Sequence, residues 1–205
     1  MIPIFHQGGF MMWPLLLTSL VALTVVIERL VFIIREGASR QPRVVARIFE
    51  EVQRGDLDKA CAIGRGSRDY VARALTYALE HRDVSYSNAL LQSASTELQR
   101  YNRGISVLDT IVTLAPLEGL FGTVTGMIGA FHLIGGDLGA PAAISGGIAQ
   151  ALIATAFGLV IAMVALIPFN YLNARLEQAR QEIETAAAQL EMLLMRAEKN
   201  SLTLP

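Results

Sequence analysis

Four polar side chains lie where a sequence this apolar should have none. Glu118 and Thr123 sit in the run from Ile111 to Ile134, and Gln150 and Thr155 in the run from Ile144 to Leu172. In hydrocarbon each needs a partner, because an unsatisfied polar group there is expensive, so an ionisable residue in such a run is read first as functional. The chemistry open to this set is movement of a small cation. A carboxyl can bind and release a proton, whereas the amide of Gln150 cannot change charge at physiological pH. Threonine hydroxyls and backbone carbonyls also suit a hard cation, so the set fits H⁺ and leaves Na⁺ open.

The elements that carry these residues are readable. Each run exceeds the ~20 residues of helix that cover a bilayer core. Gly119, Gly122, Gly126 and Gly129 recur at three- and four-residue steps and fall on one helical face. Ala151, Thr155, Gly158, Ala162 and Ala165 do the same in the second run. Small residues let helix backbones approach closely in lipid. Such a face offers more packing surface than one subunit can bury, so we expect it to line contacts between copies around a central pore.

The remainder divides into apolar and charged parts. The chain has 205 residues, 53% of them hydrophobic. From Leu138 to Ala174 there is no charged residue, while Arg35 to Arg103 is densely charged. A third apolar run, Phe10 to Ile27, is followed by Glu28 and Arg29. It has no basic region before it and no small-residue cleavage site after it, so it reads as a retained span and not a signal peptide. The 35–103 stretch reads as helices: one around Val44, Val45, Ile48 and Val52, a second from Leu57, a third from Tyr70 to His81 and a fourth from Tyr86 to Arg103. The fourth leads into the next span without Pro or double Gly, so one continuous helix is expected there. Asp69, Glu80 and Asp83 read as solvated helix faces, and Cys61 as a small buried residue. Leu176, Ile183, Leu190 and Leu194 make an apolar seam on a final helix, suited either to a short coiled coil between subunits or to packing on the 35–103 region. Gly-rich phosphate loops, cofactor motifs and metal-ligand clusters are absent from the sequence. An enzyme is not indicated, and a net charge of −1 gives no support for nucleic-acid binding.

The expected architecture is an all-α membrane protein with three transmembrane helices, a helical cytoplasmic insertion and a long C-terminal helical extension. The boundaries are 1–34 (outer N-terminus and first span), 35–103 (cytoplasmic insertion), 104–135 (second span), 136–143 (outer turn), 144–172 (third span) and 173–205 (cytoplasmic helix). Lys and Arg set the direction. None precedes the first span, twelve lie between Arg35 and Arg103, none separates spans two and three, and four follow the third. The N-terminus is therefore placed outside and the C-terminus inside. If both later spans run straight from a turn centred near Gly139, Thr123 and Thr155 share one level. Glu118 then lies about 7.5 Å further in at 1.5 Å per residue, and Gln150 as far out.

Two motifs stand out: APLEGLFGTVTGMIGAF (Ala115 to Phe131) in the second span and GIAQALIATAFGL (Gly147 to Leu159) in the third. On these motifs, similar to the family's second- and third-span signatures, the sequence resembles the MotA/TolQ/ExbB proton-channel family, and its ExbB and TolQ branch in particular. The resemblance implies a ring of subunits, five in number, in the bacterial inner membrane. It implies an ExbD/TolR-type single-span partner whose membrane Asp carries the proton, and a TonB/TolA-type effector that receives the work. It implies pore-facing roles for Thr123 and Thr155. The sequence departs from the family twice: Gln150 stands where the third span usually has glutamate, and Glu118 where the second usually has an apolar residue. We therefore expect Glu118 to take over the titratable duty. The competing reading makes Glu118 a structural hydrogen-bonder to a neighbouring helix, since it lies about 140° around the helix from Thr123 at ~100° per residue. A second reading of the whole chain, favoured by Gln150, is a scaffold of the same fold that conducts no ions.

Overall fold

The computed structural model describes residues 8–132 and 141–202. Seven helices are present among them: α1 Met12–Ala38, α2 Pro42–Gln53, α3 Leu57–Arg65, α4 Tyr70–Glu80, α5 Arg82–Asn102, α6 Ile105–His132 and α7 Pro141–Leu202. No strand occurs among the described residues. Helices α1, α6 and α7 are long and apolar enough to cross a membrane. The protein is an all-α membrane protein. Most of the expected outer turn, residues 136–140, lies outside the described residues. The third membrane helix begins at Pro141, before Ile144, because proline is well placed in a first helical turn where its missing N–H is no loss.

The expected continuous helix from Tyr86 into the second span is broken. Helix α5 ends at Asn102 and α6 begins at Ile105, with Gly104 between them at φ +81°. A side chain on Gly104 would meet Arg29 Cδ at 3.1 Å and Val25 Cγ1 at 3.2 Å. One glycine in the left-handed region, pressed against α1, is enough to end a helix. Within α5, Ser85 has extended backbone (φ −173°, ψ 107°), so the unbroken helix starts at Tyr86.

The chain divides into two compact units, one of Met1–Arg29 with Gly104–Leu172 and the other of Leu30–Arg103 with Asn173–Pro205. In the second unit α2 to α5 pack around the end of α7. Ile48, Val52, Leu75 and Leu79 meet Ile183 and Leu190 in a dry core, with Leu194 at its margin. Of the two uses open to the α7 seam, the fold takes packing on the chain's own insertion. Cys61 lies in this core at 5% exposure. Burial, then the neighbouring Glu80 carboxylate, push its thiol above the ordinary range.

Asp69 does not lie on a solvated face. Its side chain is fully buried at the start of α4, where it accepts from the Val71 N–H at 2.9 Å, the Gln41 N–H at 2.7 Å and Arg40 Nη1 at 2.6 Å. Arg40 also pairs with Glu182 on α7 and lies 4.5 Å above the Tyr70 ring. The Tyr70 hydroxyl donates to Glu182 at 2.7 Å. Burial comes first and that bond second in raising the Tyr70 pKa well above its ordinary value. A charge this deep is stable because donors reach both of its oxygens, two at Oδ1 and one at Oδ2. The sequence pointed neither to this capping role nor to Arg40, the distant partner.

In the first unit α6 and α7 run antiparallel at glycine distance. A Cβ on Gly158 would sit 2.4 Å from the Ala115 carbonyl oxygen, one on Gly119 3.0 Å from Thr155 Cα, and one on Gly126 3.0 Å from Ala151 Cβ. Gly122 faces Ala154 and Gly147 faces Ala130 in the same way. The small faces expected between subunits are thus filled from within one chain. Gly129 alone of the four α6 glycines faces open space. Helix α1 lies on this pair: Met11, Met12 and Leu15 pack with Ala154, and Ala22 packs with Ile111 and Ala165.

Two outcomes follow. Gly158→Ala should lower thermal stability by about 1–3 kcal/mol, the usual penalty of overpacking, because its methyl would meet immovable backbone; Gly129→Ala, which meets open space in a helix, should hold or slightly raise the melting temperature. Cys61 should alkylate slowly with a maleimide in the folded protein and at the free-thiol rate in denaturant. Fast native labelling would contradict its burial.

Candidate ion pathway

The glycine seam places the four polar residues. Removing side chains from the contact brings the Thr155 hydroxyl within reach of α6, where it donates to the Gly119 carbonyl at 2.8 Å. In the helical ladder that carbonyl is also the acceptor for the Thr123 N–H. The Thr123 hydroxyl itself turns back to the Leu120 carbonyl at 2.6 Å. The two threonines therefore meet through the Gly119 carbonyl and not through their hydroxyls.

Their levels differ from expectation. Thr155 stands opposite Gly119, four residues from Thr123, or about 6 Å along the axis at 1.5 Å per residue. The register follows from the close contacts Gly158–Ala115 and Gly119–Thr155, not from symmetry about the turn. Glu118, adjacent to Gly119, shares the Thr155 level. Gln150, adjacent to Ala151 and hence near Gly126, lies toward the other end of α6.

Glu118 and Gln150 both face the first helix and its lead-in. Thr18 Oγ1 on α1 donates to Glu118 Oε1 at 3.0 Å. The second oxygen, Oε2, is buried and has no hydrogen-bond partner among the described residues. The Gln150 amide lies over Gly9, where an added Cβ would stand 1.7 Å from Nε2 and the backbone has φ +71°. Only glycine fits both the space and the conformation there. The remaining packing residues Ala151 and Ala162 are buried in this unit.

Thr18 was missed from the sequence. Its only signal is a hydroxyl in the middle of an apolar run, and Ser19 and Thr24 in the same run bond their own helix, at the Leu16 and Leu20 carbonyls. A second missed feature is the exposed row Ser106, Asp109, Thr110 and Thr113 near the start of α6. Thr110 and Thr113 donate to the Ser106 and Asp109 carbonyls at 2.9 and 3.2 Å. The arrangement supplies one carboxyl, two interhelical hydroxyl contacts and an uncharged α7 segment from Ser145 to Ala174.

Comparison with known proteins identifies the family. The profile of the MotA/TolQ/ExbB proton channel family matches residues 65–185. An ExbB-like protein of Synechocystis (ExbB-like 1) is 35% identical over 197 residues, covering 92% of this chain and 77% of that protein. A second from the same organism (ExbB-like 3) is 30% identical over 196 residues and 92% of each chain. The biopolymer transport protein ExbB of Neisseria gonorrhoeae is 37% identical over 136 residues, 64% of this chain and 60% of that one. With its profile match centred on the α6 and α7 contact that builds the polar site, this chain belongs to the MotA/TolQ/ExbB proton channel family.

Proposed function

We propose that the chain is the ring-forming subunit of an ion-driven motor complex in the bacterial inner membrane. The ring is a pentamer, with the N-terminus periplasmic and the C-terminus cytoplasmic. It energises transport or envelope work through an ExbD/TolR-type single-span partner, which passes force to a TonB/TolA-type effector. The ion is H⁺. The observation that carries this reading is the pair of threonines meeting at the Gly119 carbonyl, on the two helices that bear the family motifs.

The division of labour follows from charge. Helix α7 offers no ionisable group to an ion between Ser145 and Asn170, and Gln150 cannot carry charge. The carboxylate that takes the proton along the path therefore comes from the partner's membrane Asp. Thr123 and Thr155 line that path, Gln150 closes its outer end against Gly9, and Glu118 lies beside it as the chain's own titratable group. The distribution of Lys and Arg supports this orientation, with the charged unit in the cytoplasm.

The scaffold reading has one specific support: Gln150 packs on Gly9 as a structural residue would. Proton uptake into vesicles holding the chain and its partner separates the two. Uptake is expected with the wild type. Thr155→Val should slow it by roughly tenfold, the rate equivalent of a lost hydrogen bond of about 1.4 kcal/mol, with ring mass unchanged in native mass spectrometry. Thr155→Ser should restore it. Absence of uptake by the wild-type complex would establish the scaffold. Uptake that follows sodium at fixed pH would replace H⁺ by Na⁺.

A further inference from the structure

Glu118 is engaged by one oxygen only. Oε1 is 3.0 Å from Thr18 Oγ1, and Oε2 is buried without a donor among the described residues. An ionised carboxylate spreads its charge over both oxygens and needs donors at both. Among the described residues its surroundings provide no compensating charge. Helix α1 carries no titratable residue from Met12 to Ile27, and α7 carries none from Ser145 to Asn170. Within α6 the nearest is Asp109, nine residues away. A lone carboxylate here would be unpaired, half-solvated by one hydroxyl and enclosed by apolar helices.

The protonated acid fits the same geometry. The hydrogen between Oε1 and Oγ1 is not fixed by the positions of the two oxygens, since a hydroxyl rotates to suit its partner. With the proton on Oε1, the carboxyl donates to Thr18 Oγ1, and Oε2 is left as an uncharged carbonyl oxygen.

We propose that Glu118 and Thr18 form a proton-binding site within the subunit, in which Thr18 is the positioning residue and the bound proton joins α1 to α6. Loss of the proton leaves a carboxylate with one oxygen facing apolar side chains, so the α1–α6 contact must open or admit water. The site gives the ring a proton-dependent element that is separate from the partner's carboxylate. Its use in energy conversion rests on the reading of the chain as a motor subunit; its existence does not.

The test is infrared spectroscopy of the purified chain in lipid vesicles at neutral pH, with ¹³C-labelled glutamate side chains to identify the band. The C=O stretch of a protonated carboxylic acid is expected in the wild type and absent from Glu118→Gln. Thr18→Val should shift that band to higher frequency, because its hydrogen bond is lost, and Thr18→Ser should return it to the wild-type position. Where Glu118→Gln does not fold, the two Thr18 variants and the isotope shift still decide. No labelled acid band at neutral pH, or a band that Thr18→Val leaves in place, overturns the proposal. The measurement needs neither partner nor ion gradient, so a failure of the motor reading leaves its outcome unchanged.

Discussion

The contact between Gly158 and the Ala115 carbonyl constrains the membrane unit more than any other. In lipid, helices gain nothing from hiding apolar surface from one another, so association rests on close van der Waals packing and interhelical hydrogen bonds. Backbone-to-backbone contact supplies the first and permits the second. It brings Thr155 close enough to donate to Gly119, and it cannot slide by a residue without driving a methyl or a side chain into a carbonyl. Register, threonine position and the direction in which Glu118 points all follow from it.

With Gly119 committed to α7, Glu118 is turned by about 100° around α6 and meets α1. Thus α1 does more than anchor the chain. Its hydroxyl at Thr18 answers the carboxyl on α6, while the glycine that precedes it, Gly9, makes room for the amide on α7. The two positions expected to depart from the family pattern, Glu118 and Gln150, thus both meet the first helix or its lead-in.

The charged unit solves a different problem. Helices of 9 to 12 residues, such as α2, α3 and α4, are marginal alone in water. They persist because the end of α7 gives them a shared apolar core and because Arg40, Asp69, Tyr70 and Glu182 tie the turn between α1 and α2 to the start of α4 and to α7 through polar bonds. Arg73 adds a second link, bonding Glu97 at 2.9 Å through Nε and lying 3.5 Å from Glu36 through Nη2.

The sequence by itself determined the helical character of the chain and the membrane character of three helices, because these depend on local periodicity, run length and composition. The spacing of the glycines and the identity of Glu118, Thr123, Gln150 and Thr155 as a polar set were legible for the same reason. Whom each residue meets was not. The α6 glycines pack on α7 of their own chain, Asp69 is held by Arg40, the seam on α7 closes on the insertion, and Gly104 breaks a helix that propensity would continue. Glu118 has Thr18, a hundred positions earlier, as its partner. Helical spacing assigns a residue to a face, but a face has no preferred neighbour until steric contact selects one. Only the tertiary structure, through the close approach of α6 and α7, made that selection.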